Sequence, residues 1–127
     1  METGLEKESF VGVAEEVQGQ ADFNSAVKAA VAGVKGMKPY YDWVGVYLLE
    51  GSELTLKEEH YVGLPTEHTR IPLGSGICGA SATGKETLVI DDVDTDPRYI
   101  ACSLTVRSEI VVPIMVGERV IGVLDLD

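Results

Sequence analysis

Two cysteines and three late carboxylates are the residues of this 127-residue chain best suited to chemistry. Cys78 sits in Arg70-Ile-Pro-Leu-Gly-Ser-Gly-Ile-Cys-Gly-Ala-Ser-Ala-Thr-Gly84, a glycine-punctuated turn that reads as running into a short helix. A thiol at a helix N-terminus has its pKa lowered by the dipole, and bare N–H groups there can hold a polar oxygen. Cys102 lies in a turn between Tyr99 and Arg107 with no apolar stripe around it, so it is expected to be exposed. A lone loop cysteine is more often incidental than catalytic. What raises the odds is Glu109 opening an otherwise apolar strand, and Asp125 and Asp127 ending the run Val-Ile-Gly-Val-Leu. Carboxylates that interrupt strand patterns carry a desolvation cost, and a cationic ligand is a common reason to keep them.

Convergence of these acids is a matter of register. With a two-residue turn at Gly117-Glu118, residue 109 lies opposite 126 and residue 110 opposite 125, which sends Glu109 and Asp125 to opposite faces. A shared pocket therefore requires a one-residue bulge in this hairpin.

Other patterns carry less. Gly74-Ser-Gly-Ile-Cys-Gly79 matches the dinucleotide spacing G-x-G-x-x-G, but no βαβ unit surrounds it, so the glycines read as serving a tight turn. Asp92-Val-Asp94-Thr-Asp96 resembles the start of a calcium loop, yet Pro97 and Ser103 stand where that loop needs Gly and Glu. His60 and His68 have no zinc spacing with Cys78 or Cys102, and no metal site is expected. No G-x-S-x-G elbow is present.

The positioning elements follow from periodicity. Leu5 to Gln18 carries Phe10, Val13, Ala14 and Val17 on one helical stripe. A second helix, capped by Asp22 and stopped by Gly36 and Pro39, aligns Phe23, Val27, Ala30, Val31 and Val34. From Asp42 the period becomes two: a strand with Trp43 and Tyr47 on one face, a turn at Gly51-Ser52, and a returning strand from Glu53 to Val62. The two aromatics face either a second layer or a ligand. A polar loop with His68, the Cys78 segment, the strand Thr87 to Ile90, and a final hairpin of Glu109 to Val116 and Arg119 to Asp127 complete the chain. Helices followed by a strand meander imply an α+β domain with one antiparallel sheet.

Length implies a single domain over residues 1–127. The net charge of -11 sets nucleic acid and anionic membranes aside, and no window approaches the roughly 18 apolar residues of a membrane span. Without an apolar leader a cytoplasmic location is expected, with free thiols.

Taken together, Trp43-Val-Gly-Val-Tyr-Leu-Leu, Arg70 to Gly79, Tyr99-Ile-Ala-Cys, Arg107-Ser-Glu-Ile-Val-Val-Pro-Ile and Val120-Ile-Gly-Val-Leu-Asp-Leu-Asp resemble a GAF domain. Within that superfamily they look most like the free methionine-(R)-sulfoxide reductases. The resemblance implies a GAF fold, with N-terminal helices on one face of the sheet and a ligand pocket on the other. It also implies reduction of free L-methionine (R)-sulfoxide with Cys102 as nucleophile through a sulfenic acid, and Cys78 as the cysteine of the family's Gly-Val-Cys-Gly segment. Trp43 and Tyr47 would pack on the methyl sulfoxide end, while Glu109, Asp125 and Asp127 would bind the ammonium and sulfoxide ends, a protonated acid among them donating to the sulfoxide oxygen. No bound cofactor is implied, only reducing equivalents from thioredoxin or another dithiol. His68 stands where the family commonly has the cysteine of the recycling disulfide, which leaves Cys78 or an external thiol as resolver. The chain also stops at Asp127, where the family continues into a C-terminal helix. The alternative from another class is a non-catalytic sensory GAF domain binding a small molecule, and the N-terminal helix also suits a homodimer.

Overall fold

The computed structural model describes residues 4–93, 97–98 and 108–127. Helix α1 (Gly4–Gln18) and helix α2 (Phe23–Met37) lead into seven strands: β1 (Val44–Glu50), β2 (Glu53–Thr55), β3 (Tyr61–Val62), β4 (Arg70–Pro72), β5 (Leu88–Ile90), β6 (Glu109–Val116) and β7 (Arg119–Leu126). A short helix α3 (Gly76–Gly84) is inserted between β4 and β5. All described pairings are antiparallel, in the order β4-β2-β1-β7-β6-β5, with β3 also on β1. The expected α+β class, with one antiparallel sheet, is what forms.

The helix stripes behave as their periods require. In α1, Val13, Ala14 and Val17 are half-buried between exposed neighbours. Asp22 caps α2, its Oδ1 accepting from the Ser25 N–H at 2.7 Å. Val27 and Val31 bury against Val44, Val46 and Leu126, closing one face of the sheet. Phe23 departs from the expected stripe: at the first helical position it is 55% exposed.

The alternation of β1 separates two layers. Val44 and Val46 pack under the helices, whereas Trp43 and Tyr47 join Leu54, Ile71, Ile77, Cys78, Val111 and Val123 on the opposite side. Helices on one face and a second layer on the other are thus both present.

The returning strand expected over Glu53 to Val62 is broken. After Thr55 the Leu56 N–H donates to the Thr69 carbonyl at 2.8 Å, and Glu58–His60 winds into a 3-10 turn before β3 resumes pairing with β1. The interruption drives His60 inward, where its Nε2 meets Asn24 Oδ1 of α2 at 2.6 Å. A local helix-like turn that buries a side chain against α2 outweighs continued alternation.

Candidate functional site

The site forms where α3 rests on the ends of β6 and β7. In this hairpin Val116 pairs with Arg119 and Met115 with Val120, but Ile114 then pairs with Gly122, leaving Ile121 as an extra residue. Beyond that bulge Val111 faces Asp125 and Ile110 faces Leu126. Continued one step, the same register sets Glu109 across from Asp127. Because side chains alternate, Glu109 now shares a face with Val111 and Asp125. The bulge that convergence requires is present.

Helix α3 delivers the thiol. Gly76 takes φ +72°, a conformation that costs little only without a side chain. A Cβ on Gly79 would lie 2.6 Å from the Leu73 carbonyl oxygen, so glycine lets the helix lie flat on the turn before it. The two glycines therefore serve turn and packing, as the missing βαβ context implied. Cys78 comes to rest in a pocket lined by Tyr47, His68, Ile71, Gly76, Ile77, Glu109 and Asp125. The Tyr47 hydroxyl donates to the His68 carbonyl at 2.9 Å and ties the polar loop to the sheet.

The electrostatics reverse one expectation. Cys78 lies at the start of a helix, yet its thiol is pushed well above its ordinary range, first by burial and then by the charges of Asp125 and Glu109. A hydrogen bond with Asp125 and the charge of Asp127 add to this. Desolvation and facing carboxylates outweigh the dipole of a nine-residue helix. Asp127 is pushed up to about 8, again mainly by burial, with the charge of Glu109, a hydrogen bond with the Glu109 side chain and the charge of Asp42 adding to it. Burial, more than crowding of like charges, keeps this acid protonated near neutrality.

Trp43 lies one step behind the pocket. Its ring stacks on Tyr61 at 5.5 Å, sits 6.3 Å from the Tyr47 ring, and its Nε1–H donates to the Leu64 carbonyl at 3.0 Å. Among the described lining residues Trp43 does not appear. Cys102, with residues 99–107 around it, lies outside the described residues, as does most of the calcium-like stretch at 94–96. From sequence His68 is weighed as a zinc ligand and as a replaced cysteine, not as a pocket wall, and neither Ile71 nor Ile77 is a site candidate. Alternation in Arg70-Ile-Pro was the available signal for Ile71, the buried centre of β4. Three potential metal-binding atoms, one each from Cys78, Glu109 and Asp125, lie within 4.8 Å of one another.

Residues 38–127 match the GAF domain family. This chain belongs to that family. It is 40% identical over 86 residues to the free methionine-R-sulfoxide reductase of Escherichia coli, an alignment covering 68% of this chain and 50% of that one. It is 34% identical over 127 residues to GAF domain-containing protein A of Dictyostelium discoideum, covering 98% and 79%. Among solved structures, the free methionine-R-sulfoxide reductase of Neisseria meningitidis in complex with its substrate superposes with a TM-score of 0.88 at 38% identity, covering 97% of this chain and 72% of that one. The chain spans about half the length of curated relatives such as the E. coli enzyme. In this GAF domain the pocket combines a protonated thiol, buried carboxylates and an aromatic wall, a set that can hold a small polar molecule carrying a positive charge and can supply a proton to it. No described helix is long and apolar enough to cross a membrane.

Proposed function

We propose that this GAF domain reduces free L-methionine (R)-sulfoxide to methionine. The observation that carries the reading is the β6–β7 bulge, which gathers Glu109 and Asp125 beside the Cys78 thiol. The likeness to the E. coli and Neisseria reductases supports the substrate class.

In this reading Cys102 Sγ attacks the sulfoxide sulfur. The sulfoxide oxygen passes to Cys102 as a sulfenic acid, and methionine leaves with its sulfur reduced by two electrons. A protonated carboxyl is needed at the sulfoxide oxygen as the S–O bond breaks, and the raised pKa of Asp127 suits that role. Glu109 and Asp125 take the substrate ammonium, and Tyr47 backed by Trp43 packs on the methyl end. A second thiol then attacks the sulfenic sulfur, forming a disulfide while the hydroxyl leaves as water with that thiol's proton. Cys78 or an external thiol fills this place, since His68 stands at the usual resolving position. A dithiol such as thioredoxin returns both cysteines to thiols by exchange. A cytoplasmic location and a homodimer through the N-terminal helix belong to the same proposal; an unchanged size-exclusion mass after deletion of residues 1–20 would count against the dimer.

His68 also supports a second reading, a sensory GAF domain that binds a methionine-like ligand without turnover. The deciding assay is methionine release from free L-methionine (R)-sulfoxide with dithiothreitol, using the (S) epimer and Cys102→Ser as controls. Release from (R) alone that vanishes in Cys102→Ser is the expected result; no release from folded protein favours the sensor.

A further inference from the structure

We infer that Cys78, Glu109 and Asp125 form a binding site for a thiophilic divalent cation of the zinc type, which when bound fills the pocket and excludes an organic ligand. The three side chains come from α3, β6 and β7 and are 4%, 7% and 3% exposed, so none is a solvated surface group. Their nearest candidate donor atoms lie within 4.8 Å of one another. A tetrahedral ion with bonds of about 2.3 Å to sulfur and about 2.1 Å to oxygen sets its ligands roughly 3.6 Å apart. Carboxylate torsions on two strand ends are enough to close that difference.

Charge points the same way, independently of the spacing. The described lining residues include no Lys or Arg, although two carboxylates are buried there. Beside them the Asp127 Oδ1 atom is buried without a hydrogen-bond partner among the described residues. Burying the carboxylates of Glu109 and Asp125 with no Lys or Arg in the described lining is costly, and a divalent ion offsets it. One thiolate with two carboxylates is a borderline-soft set that suits Zn²⁺ or Cd²⁺ better than Mg²⁺ or Ca²⁺, which prefer oxygen alone. His68 on the same wall, or a water, is available as the fourth ligand. On binding, the Cys78 S–H bond breaks, its proton goes to solvent and a sulfur–metal bond replaces it. The absence of a metal site expected from the sequence weighed only histidine partners for the thiols; the cluster that forms uses carboxylates.

The cation site stands on this geometry alone, whereas its inhibitory effect rests on the reductase reading. The test is a titration of the phosphine-reduced full chain with Cd²⁺, following the ultraviolet thiolate-to-cadmium charge-transfer band. The expected result is saturation at one equivalent, retention of the band in Cys102→Ser and its loss in Cys78→Ser. Affinity should fall roughly tenfold or more in Glu109→Gln and Asp125→Asn, with folding checked by circular dichroism. A band that survives Cys78→Ser, disappears in Cys102→Ser, or is indifferent to both carboxylate variants would overturn the site. Zn²⁺ should displace Cd²⁺ and inhibit methionine release, with inhibition relieved by more sulfoxide; non-competitive inhibition would overturn pocket exclusion. A Cys78-dependent band in a protein that releases no methionine would sink the reductase reading and leave the cation site standing, while turnover without the band would do the reverse.

Discussion

Asp127 carries a proton where an ordinary aspartate would not, because burial and Glu109 raise its pKa to about 8. The folded chain therefore holds a proton that the unfolded chain releases above about pH 4. The stability that this protonation contributes is complete below the unfolded value and is lost as pH rises toward 8. Asp127→Asn should unfold at a higher temperature than wild type at pH 9 and show little difference at pH 4, as measured by thermal melts across that range. If Asp127 supplies the proton to the sulfoxide oxygen, kcat/KM for methionine sulfoxide should fall as pH rises through about 8, and the Asn variant should lose roughly 10²- to 10⁴-fold. His60 has the opposite sign. It is 1% exposed, Nδ1 is buried without a partner among the described residues, and burial, with a smaller effect from Lys57, lowers its pKa. The unfolded chain takes up a proton near pH 6.5 that the folded chain refuses, so stability is present above that pH and lost as pH falls below it. His60→Gln should flatten urea-unfolding stability between pH 5 and 6.5; an unchanged slope would assign the acid sensitivity elsewhere.

At the scale of elements, the extra residue Ile121 sets which face of β7 carries the acids. Deleting it leaves the pair Met115 and Val120 followed directly by the pair Ile114 and Gly122, a regular two-residue hairpin in which Val111 still faces Asp125, whereas the full-length strand without its bulge would turn Asp125 toward Val27 and Val31. The deletion variant should therefore keep a cooperative fold, read as a retained thermal transition by circular dichroism, with the acids still gathered at Cys78. Loss of the transition would mean that the added twist of the bulge is itself needed for β7 to pair with β1 and β6 together. Helix α3 lies tightly on the turn before it, at Gly79 against the Leu73 carbonyl. Because the obstructing atom is backbone, Gly79→Ala should destabilise by about 1–3 kcal/mol and speed alkylation of Cys78, which is otherwise buried. Alanine without effect on either measure would show that the turn yields freely.

The whole molecule carries a net charge of -11, so self-repulsion opposes the compact state and is screened by salt. Moving from about 0.01 M to about 0.15 M NaCl shortens the screening length from roughly 30 Å to roughly 8 Å, and Tm should rise. A fall in Tm would mean that attractive ion pairs outweigh the surplus negative charge. The same surplus favours a cationic or zwitterionic guest in a pocket whose described lining offers no Lys or Arg.

Much of this architecture was written locally. The period of Val27, Val31 and Val34, the Asp22 cap and the alternation of Trp43 and Tyr47 each depend on neighbours within a few residues, so α2, β1 and the two-layer arrangement were legible from the chain. Glu109, Asp125 and Asp127 stood out because acids interrupt an apolar pattern, and their convergence reduced to one stated condition, a bulge. Whether the bulge forms was not legible, since Ile121 resembles its neighbours and only pairing of β7 with both β1 and β6 fixes the register. The break after Thr55 was hidden for a similar reason, because His60 turns inward only when α2 offers Asn24. The thiol of Cys78 is the clearest case. A helix start is a local feature and argues for a low pKa, but desolvation and the facing carboxylates come from strands more than thirty residues away along the chain. Local sequence determined the elements and the identity of the reactive groups. Tertiary packing decided which of them meet and in what state of charge, because burial and field are properties of the assembled surroundings.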